Sequence, residues 1–178
     1  QMRLMPFLLD GGRYPFVQTK LMHFRRFKEV DISRTRLTHE ERGYQWDRLI
    51  SYLKEKDWFV IFDIVKILKD DAYTLANIFY TQDVVKLDEI NRNWYDTRNR
   101  TLGYYEAPNP QGTDLIIYFP EGASFRRGTE QLRRSYQTSS AIYTAKADSL
   151  KQGDLLVFTT FLIPHKTETD PQTIISSL

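Results

Sequence analysis

Apolar and polar residues alternate along most of the chain, with a period closer to two than to 3.6. A period of two places successive side chains on opposite faces of a β-strand. The alternating segments are rich in Val, Ile, Thr, Tyr, Phe and Trp, which suit a pleated, half-buried surface. They predict strands at residues 14–23, 29–38, 44–53, 58–68, 73–81, 94–98, 114–119, 139–145 and 155–163.

The segments between these strands carry residues that favour turns. Examples are Asp10-Gly11-Gly12, Glu121-Gly122 and Gln152-Gly153-Asp154. The intervals leave no room for the long helical crossovers that parallel strands need. The pattern therefore predicts an all-β, mainly antiparallel fold, either a sandwich or a barrel.

Three segments differ from this simple alternation. Residues 58–62 (Trp-Phe-Val-Ile-Phe) are apolar at consecutive positions, so we expect both faces of that strand to be covered. Residues 124–136 are polar and rich in Arg, and they predict a long loop, with room for one helical turn. Near the end of the chain, Asp170 and Pro171 predict the cap and first turn of a short helix.

Length and composition narrow the class of protein. The chain has 178 residues, 41% of them hydrophobic and 27% charged, which is enough apolar material for one folded domain covering residues 1–178. The net charge of +2 argues against a nucleic-acid partner, and no apolar run approaches the ~18 residues of a membrane helix. Because the chain begins with Gln and has no signal-peptide pattern, we expect a piece of a longer protein.

Candidate catalytic and metal-binding residues are few. Cysteine is absent, and His23, His39 and His165 are far apart, without the spacing of a metal site. We therefore expect no metal and no cofactor. His39 is predicted to lie in an exposed loop and His165 to have a structural or solvent-facing role. His23 is the best of the three candidates for acid–base chemistry.

One acidic residue lies within an apolar strand. Asp63 follows Trp-Phe-Val-Ile-Phe, and a carboxylate buried there must be paired or hydrogen-bonded. We expect Arg48 on an adjacent strand, or backbone donors, to be its partner.

Arginines and aromatic residues suggest a surface for anionic sugars. Arg34 and Arg36 would share a strand face, and together with Trp46 and His23 they are the candidate substrate-binding residues. The alternative is that the arginines pair with nearby acids and the aromatic residues belong to the core. The acids concerned are Glu29, Asp31 and Asp47.

Five segments carry a resemblance to a known family: residues 27–37 (FKEVDISRTRL), 43–48 (GYQWDR), 58–65 (WFVIFDIV), 73–81 (YTLANIFYT) and 162–165 (LIPH). Together they resemble the C-terminal β-sandwich of the heparinase II/III-like polysaccharide lyases. The resemblance implies a large antiparallel, supersandwich-like β-sandwich that follows an N-terminal α/α toroid. It also implies β-elimination at a uronic acid, with base and acid supplied mostly by the toroid.

The sequence departs from that family in the features that carry catalysis. It has no helical toroid and no His-x-His metal segment, and Tyr80 stands where the resemblance leads us to expect His. No catalytic or metal-binding residue is therefore carried over. The predicted role is a non-catalytic β-sandwich that contacts and scaffolds a toroid domain absent from this chain.

Two other functions stay open at this point. One is a carbohydrate-binding module for acidic polysaccharides, and the other is a small lyase with its own Tyr, His and Arg site. In either case the resemblance implies a secreted or periplasmic bacterial setting.

Overall fold

The computed structural model describes residues 18–81, 83–98, 112–132 and 135–178. These residues form eleven strands and one short helix. The strands are β1 (Gln18–Arg26), β2 (Val30–His39), β3 (Tyr44–Leu53), β4 (Trp58–Ile67), β5 (Asp71–Thr81), β6 (Asp83–Leu87), β7 (Trp94–Arg98), β8 (Thr113–Tyr118), β9 (Ser124–Leu132), β10 (Ser135–Leu150) and β11 (Leu155–Lys166), and the helix is α1 (Pro171–Ile175).

The strands form two antiparallel sheets. The large sheet has the order β1-β2-β3-β4-β11-β8-β7-β6, and the small sheet has the order β5-β10-β9. The late strand β11 lies between β4 and β8 and so joins the two halves of the large sheet. This architecture confirms the predicted all-β antiparallel sandwich.

The core lies between the two sheets. In one cluster, Val65, Ile67 and Phe158 of the large sheet pack with Tyr73 and Leu75 of the small sheet. A second cluster lies beside it and consists of Val84, Tyr95, Ile117, Phe119 and Ile142. Alternate residues of each strand supply these contacts, as the period of two predicts.

The large sheet is also covered on part of its outer face. Val60 and Ile61 are neighbours in β4 with opposite orientations, and both are buried, which confirms the expectation for residues 58–62. On the outer face a third cluster forms from Trp94, Ile116 and Ile163, with Ile174 and Ile175 of α1 packed against it. Helix α1 begins as predicted, with Asp170 as its cap and Pro171 in its first turn.

Residues 124–136 are not the predicted loop. Within the described residues, β9 pairs with β10 in an antiparallel register that runs from Leu132 opposite Ser135 to Ser124 opposite Tyr143. The prediction was wrong because strands were recognised by alternating apolar and polar residues, and this segment lacks that alternation. A strand at the edge of a small sheet forms backbone hydrogen bonds on one side only and tolerates a polar sequence. The short strand β6 was missed, and predicted residues 14–17 of the first strand lie outside the described residues.

The prediction for His39 was also wrong. This residue ends β2 opposite Tyr44 and is buried, with its ring centroid 5.5 Å from that of Tyr44. Its Nδ1 accepts a hydrogen bond from the Arg42 backbone N–H at 3.3 Å. The polar residues that follow His39 suggested an exposed loop, but the turn begins only after it.

Candidate functional site

Two arginines bind one aspartate on the outer face of the large sheet. Arg36 lies opposite Asp47 in the β2–β3 register, and Arg34 is two residues away on the same face. Arg36 Nε donates to Asp47 Oδ1 at 2.7 Å, and its Nη2 donates to Oδ2 at 2.9 Å. Arg34 donates to Oδ2 through Nε at 3.0 Å and also through Nη2. The two guanidinium groups therefore share a single carboxylate.

This cluster keeps a net positive charge at the surface. The Asp47 side chain is 3% exposed, whereas those of Arg34 and Arg36 are 35% and 30% exposed. The Arg36 hydrogen bond lowers the pKa of Asp47 against the opposing effect of burial, and the Arg34 contact lowers it further. The same bond raises the pKa of Arg36. Asp47 is therefore ionised at neutral pH, and because arginine side chains in proteins are not deprotonated, the cluster has one positive charge in excess.

Edge strand β1 adds two more basic side chains to this face. His23 lies opposite Arg34, and Lys20 lies opposite Arg36, with a register shift between Leu21 and His23. Residues directly opposite in an antiparallel pair project from the same side of the sheet. Lys20 and His23 are exposed. We call Lys20, His23, Arg34 and Arg36 the basic patch.

Trp46 lies on the other face of the same sheet. It pairs with Leu37, one position out of phase with Arg36 and Asp47. Its indole Nε1 donates to Asp63 Oδ1 at 2.7 Å, and its ring stacks on Phe158 with centroids 6.0 Å apart. The structure therefore brings three of the four candidate residues together and places Trp46 at the edge of the core.

Asp63 has the partner that the sequence predicted. It is fully buried, and Arg48 opposite it donates Nε to Oδ1 at 2.7 Å and Nη2 to Oδ2 at 2.9 Å. Arg48 Nη2 also contacts Asn77 Oδ1 at 3.4 Å, and Asn77 Nδ2 donates to Thr160 Oγ1 at 3.2 Å. This network is structural, because it fills the space between the sheets.

A buried pair of His165 and Asp96 lies in the other half of the large sheet. His165 Nε2 is 2.9 Å from Asp96 Oδ1, and Nδ1 is 2.8 Å from the backbone oxygen of Lys166. A carbonyl oxygen only accepts, so Nδ1 carries a hydrogen, and one further proton must lie between Nε2 and Asp96. The pair is therefore neutral overall, whichever of the two groups holds that proton.

Burial is the main reason that the pKa of Asp96 is raised, and the charge of Asp114 raises it further, while the His165 hydrogen bond lowers it. The expected structural role of His165 fits these contacts. The sequence analysis did not identify Asp96 or Asp114 as buried acids. The signal that found Asp63, an acid inside an apolar strand, is also present in the sequence Trp-Tyr-Asp-Thr-Arg of β7.

The described residues contain no group of three or more His, Asp or Glu side chains arranged to hold a metal ion. In the same part of the chain, no helix has both the length and the apolar character needed to cross a membrane.

Comparisons with known proteins show where this fold occurs. No family model and no curated protein sequence matches the chain. Among solved structures, the heparan sulfate lyase HepC from Pedobacter heparinus matches with a TM-score of 0.63 and 11% identity, over 96% of this chain and 27% of that one. A heparinase III structure matches with a TM-score of 0.58 and 14% identity, over 86% of this chain and 22% of that one.

A heparinase III gene product gives a similar match, with a TM-score of 0.59, 12% identity and coverage of 86% of this chain and 22% of that one. The chain therefore has a heparinase-like β-sandwich fold, which confirms the resemblance at the level of the fold. It spans about a quarter of the length of these structures.

Proposed function

We propose that this chain is the β-sandwich domain of a larger lyase-like protein and acts as a non-catalytic scaffold for an α/α-toroid domain. One observation carries the proposal: the match to HepC takes in 96% of this chain but only 27% of HepC. Residues 1–178 are one domain in this proposal. Its partner is a domain of the same protein rather than a nucleic acid or a membrane.

The environment of the histidines supports a non-catalytic role. Both ring nitrogens of His165 are engaged, one by a carbonyl and one by Asp96, so neither is available as a base for a substrate. His39 is buried and accepts a backbone hydrogen bond. His23 is exposed on β1 opposite Arg34, and within the described residues it forms no hydrogen bond or ion pair with an acid. General acid–base catalysis needs both groups within hydrogen-bond reach of the substrate.

The test is an activity assay on the full chain. Heparan sulfate and alginate are incubated with the protein, and the absorbance of unsaturated uronate products is followed over time. We expect no product. Time-dependent product that disappears in the His23→Ala variant would overturn the proposal and would favour the small-lyase alternative.

The basic patch supports a second candidate function, weak binding of acidic polysaccharides. Arg34 and Arg36 share the single charge of Asp47, which leaves one positive charge in excess beside exposed Lys20 and His23. Carboxylate and sulfate groups can bridge guanidinium groups in a bidentate manner. Trp46, the fourth candidate residue, lies on the opposite face of the sheet from the basic patch. A glycan bound to the patch would therefore need a separate contact to reach it.

The cellular setting that follows from this proposal is the bacterial periplasm or the exterior of the cell, where acidic polysaccharides are encountered. Reporter fusions to the parent protein test this setting. We expect activity from a reporter that folds only outside the inner membrane and none from a reporter that folds only inside it.

A further inference from the structure

Strand β5 forms one edge of the small sheet. Within the described residues it pairs only with β10, in an uninterrupted register from Asp71 opposite Leu150 to Thr81 opposite Ser140. Every second residue of β5 therefore directs its backbone N–H and C=O groups away from β10, where the described residues supply no strand. Apart from Asp71 at its start, β5 contains no charged residue and no proline.

The other strands at the edges of the two described sheets carry features that normally prevent a further strand from adding. Strand β1 has a register shift between Leu21 and His23 and is rich in basic residues. Strand β6 has only five residues and a register shift of its own. The sequence of β9 contains both arginine and glutamate. Because β5 lacks all of these features, we expect its edge to be covered in the folded protein.

The free edge of β5 faces a part of the large sheet that the small sheet does not cover. Asn77 of β5 contacts Arg48 of β3, whereas Ile142 of β10 packs with Tyr95 and Ile117 of β7 and β8. Strand β10 therefore lies on the β7–β8 side of β5. Since the order of the large sheet is β1-β2-β3-β4, strands β1 and β2 extend beyond the free edge of β5.

Two large apolar side chains are exposed on the core-facing side of these strands. Leu21 and Phe24 of β1 lie opposite Thr35 and Ser33 of β2, so they project from the face opposite the basic patch. They are 60% and 53% exposed. We call the free edge of β5, together with the core-facing side of β1 and β2, the β5 step. Its apolar floor and its row of backbone groups fit an extended, apolar chain segment.

A second copy of the chain does not fit the β5 step. Antiparallel pairing of β5 with its counterpart around a two-fold axis would place both large sheets on the same side of the joined small sheets. The parts of the two large sheets that extend beyond β5 would then occupy the same space. A single segment of chain avoids this overlap.

We propose that residues 2–9 (Met-Arg-Leu-Met-Pro-Phe-Leu-Leu) add to the free edge of β5 as an antiparallel fourth strand of the small sheet. This segment, which lies outside the described residues, is apolar at both odd and even positions. One set matches the floor of the β5 step, and the other matches Ile78 and Tyr80, which are exposed on β5. Pro6 and Arg3 are residue types that protect the outer edge of a sheet.

The connection between this segment and β1 is long enough. Residues 10–17 span up to about 26 Å when extended. They need to cover about 14 Å across three strand spacings, from β1 to β4, and about 10 Å between the sheets.

The direction of the chain also fits. Gln18 begins β1 opposite Thr38, at the end of the large sheet where β5 starts, and Tyr73 of β5 donates its hydroxyl hydrogen to the Gly43 backbone oxygen there at 3.0 Å. A turn at Asp10-Gly11-Gly12 would reverse the chain, so residues 2–9 would run antiparallel to β5. This inference does not depend on the proposed scaffold function, because it concerns contacts within this chain.

A single spin label tests the position of residues 2–9, since the chain has no cysteine. In the full 178-residue chain labelled with nitrogen-15, a nitroxide at Thr74→Cys, exposed on β5, should reduce the amide peak intensities of residues 2–9 at least twofold. The control is a nitroxide at Glu168→Cys, exposed between β11 and α1, which should leave them unchanged. A mixture of nitroxide-labelled chain without nitrogen-15 and nitrogen-15 chain without nitroxide should also leave them unchanged.

Hydrogen exchange tests whether the edge of β5 is covered. In the parent chain, the β5 amides that face away from β10 should exchange within tenfold of the rate of those that face β10. A variant with Leu4→Asp and Leu8→Asp should accelerate exchange of the former at least tenfold. The matched control carries Leu155→Asp and Leu178→Asp, which change two exposed leucines elsewhere, and should alter this exchange less than twofold.

Several results would overturn the proposal. Unchanged intensities of residues 2–9 with the label at position 74, or equal losses with the label at position 168, would show that the segment lies elsewhere. Intensity losses in the mixed sample would indicate pairing between copies. Protected β5 amides that do not respond to the Leu4 and Leu8 substitutions would show that another segment covers the edge, and unprotected ones would show that it is open.

Discussion

Arg48 holds both carboxylate oxygens of Asp63 from the adjacent strand, at 2.7 and 2.9 Å. Asp63 is completely buried, while the Arg48 side chain is 34% exposed, so the pair extends from the core towards solvent. Trp46 adds a third hydrogen bond to the same carboxylate. Since Arg48 also contacts Asn77 on the small sheet, this pair contributes to the attachment of one sheet to the other.

Replacing Asp63 with Ala should reduce the free energy of unfolding by roughly 3–5 kcal/mol, because it leaves the Arg48 guanidinium and the Trp46 indole without their acceptor. Urea unfolding followed by fluorescence measures this change. Glu121→Ala is the control, since Glu121 pairs with Lys146 at 3.2 Å on the surface, where such pairs contribute about 0–1 kcal/mol. Equal stability of Asp63→Ala and the parent would contradict the structural role assigned to this residue.

The Asp47 cluster should make stability depend on pH at the acid end. The pKa of Asp47 in the folded state is lowered, mainly by the Arg36 hydrogen bond. Ionised Asp47 therefore stabilises the fold at pH values above its unfolded-state pKa of about 3.9. This stabilisation is lost as the pH falls through the lower pKa of the folded state. The parent should therefore exceed Asp47→Asn in stability by more at pH 7 than at pH 2. Guanidinium unfolding at both pH values measures this, and a pH-independent difference would contradict it.

The basic patch should bind acidic glycans weakly and only at low salt, because exposed charges separated by more than about 8 Å are screened at physiological ionic strength. Affinity electrophoresis in gels containing heparin or alginate should show slight retardation that Arg34→Gln reduces. Trp46→Ala is the matched test of the other face and should leave the retardation unchanged. Retardation that survives high salt and disappears in Trp46→Ala would favour a dedicated carbohydrate-binding module.

Metal removal should have no effect on stability. Cysteine is absent from the sequence, and the three histidines lie on β1, at the end of β2 and on β11. We expect the melting temperature to stay within about 1 °C of its starting value when EDTA is added. For a protein of this size, a loss of 1 kcal/mol in the free energy of unfolding would lower the melting temperature by ~2–4 °C. A fall of several degrees would show that a metal stabilises the fold.

Sequence alone determined the class of fold and one feature of its core. The period of two specified strands, and the lack of room for crossovers specified antiparallel pairing. Asp63 was identified because a carboxylate within an apolar strand has few stable environments, and Arg48 lies at the matching position of the preceding strand. Both conclusions depend on interactions that are local or limited to adjacent strands.

Only the tertiary structure decided which side chains from different strands meet. The insertion of β11 between β4 and β8 brings His165 to Asp96, 69 residues away, and no periodic pattern encodes that placement. The pairing of β2 with β3 likewise places Arg34 and Arg36 on Asp47 and directs Trp46 to the opposite face. Strand period is set by backbone geometry within a few residues, whereas strand order and register depend on the burial of the whole chain.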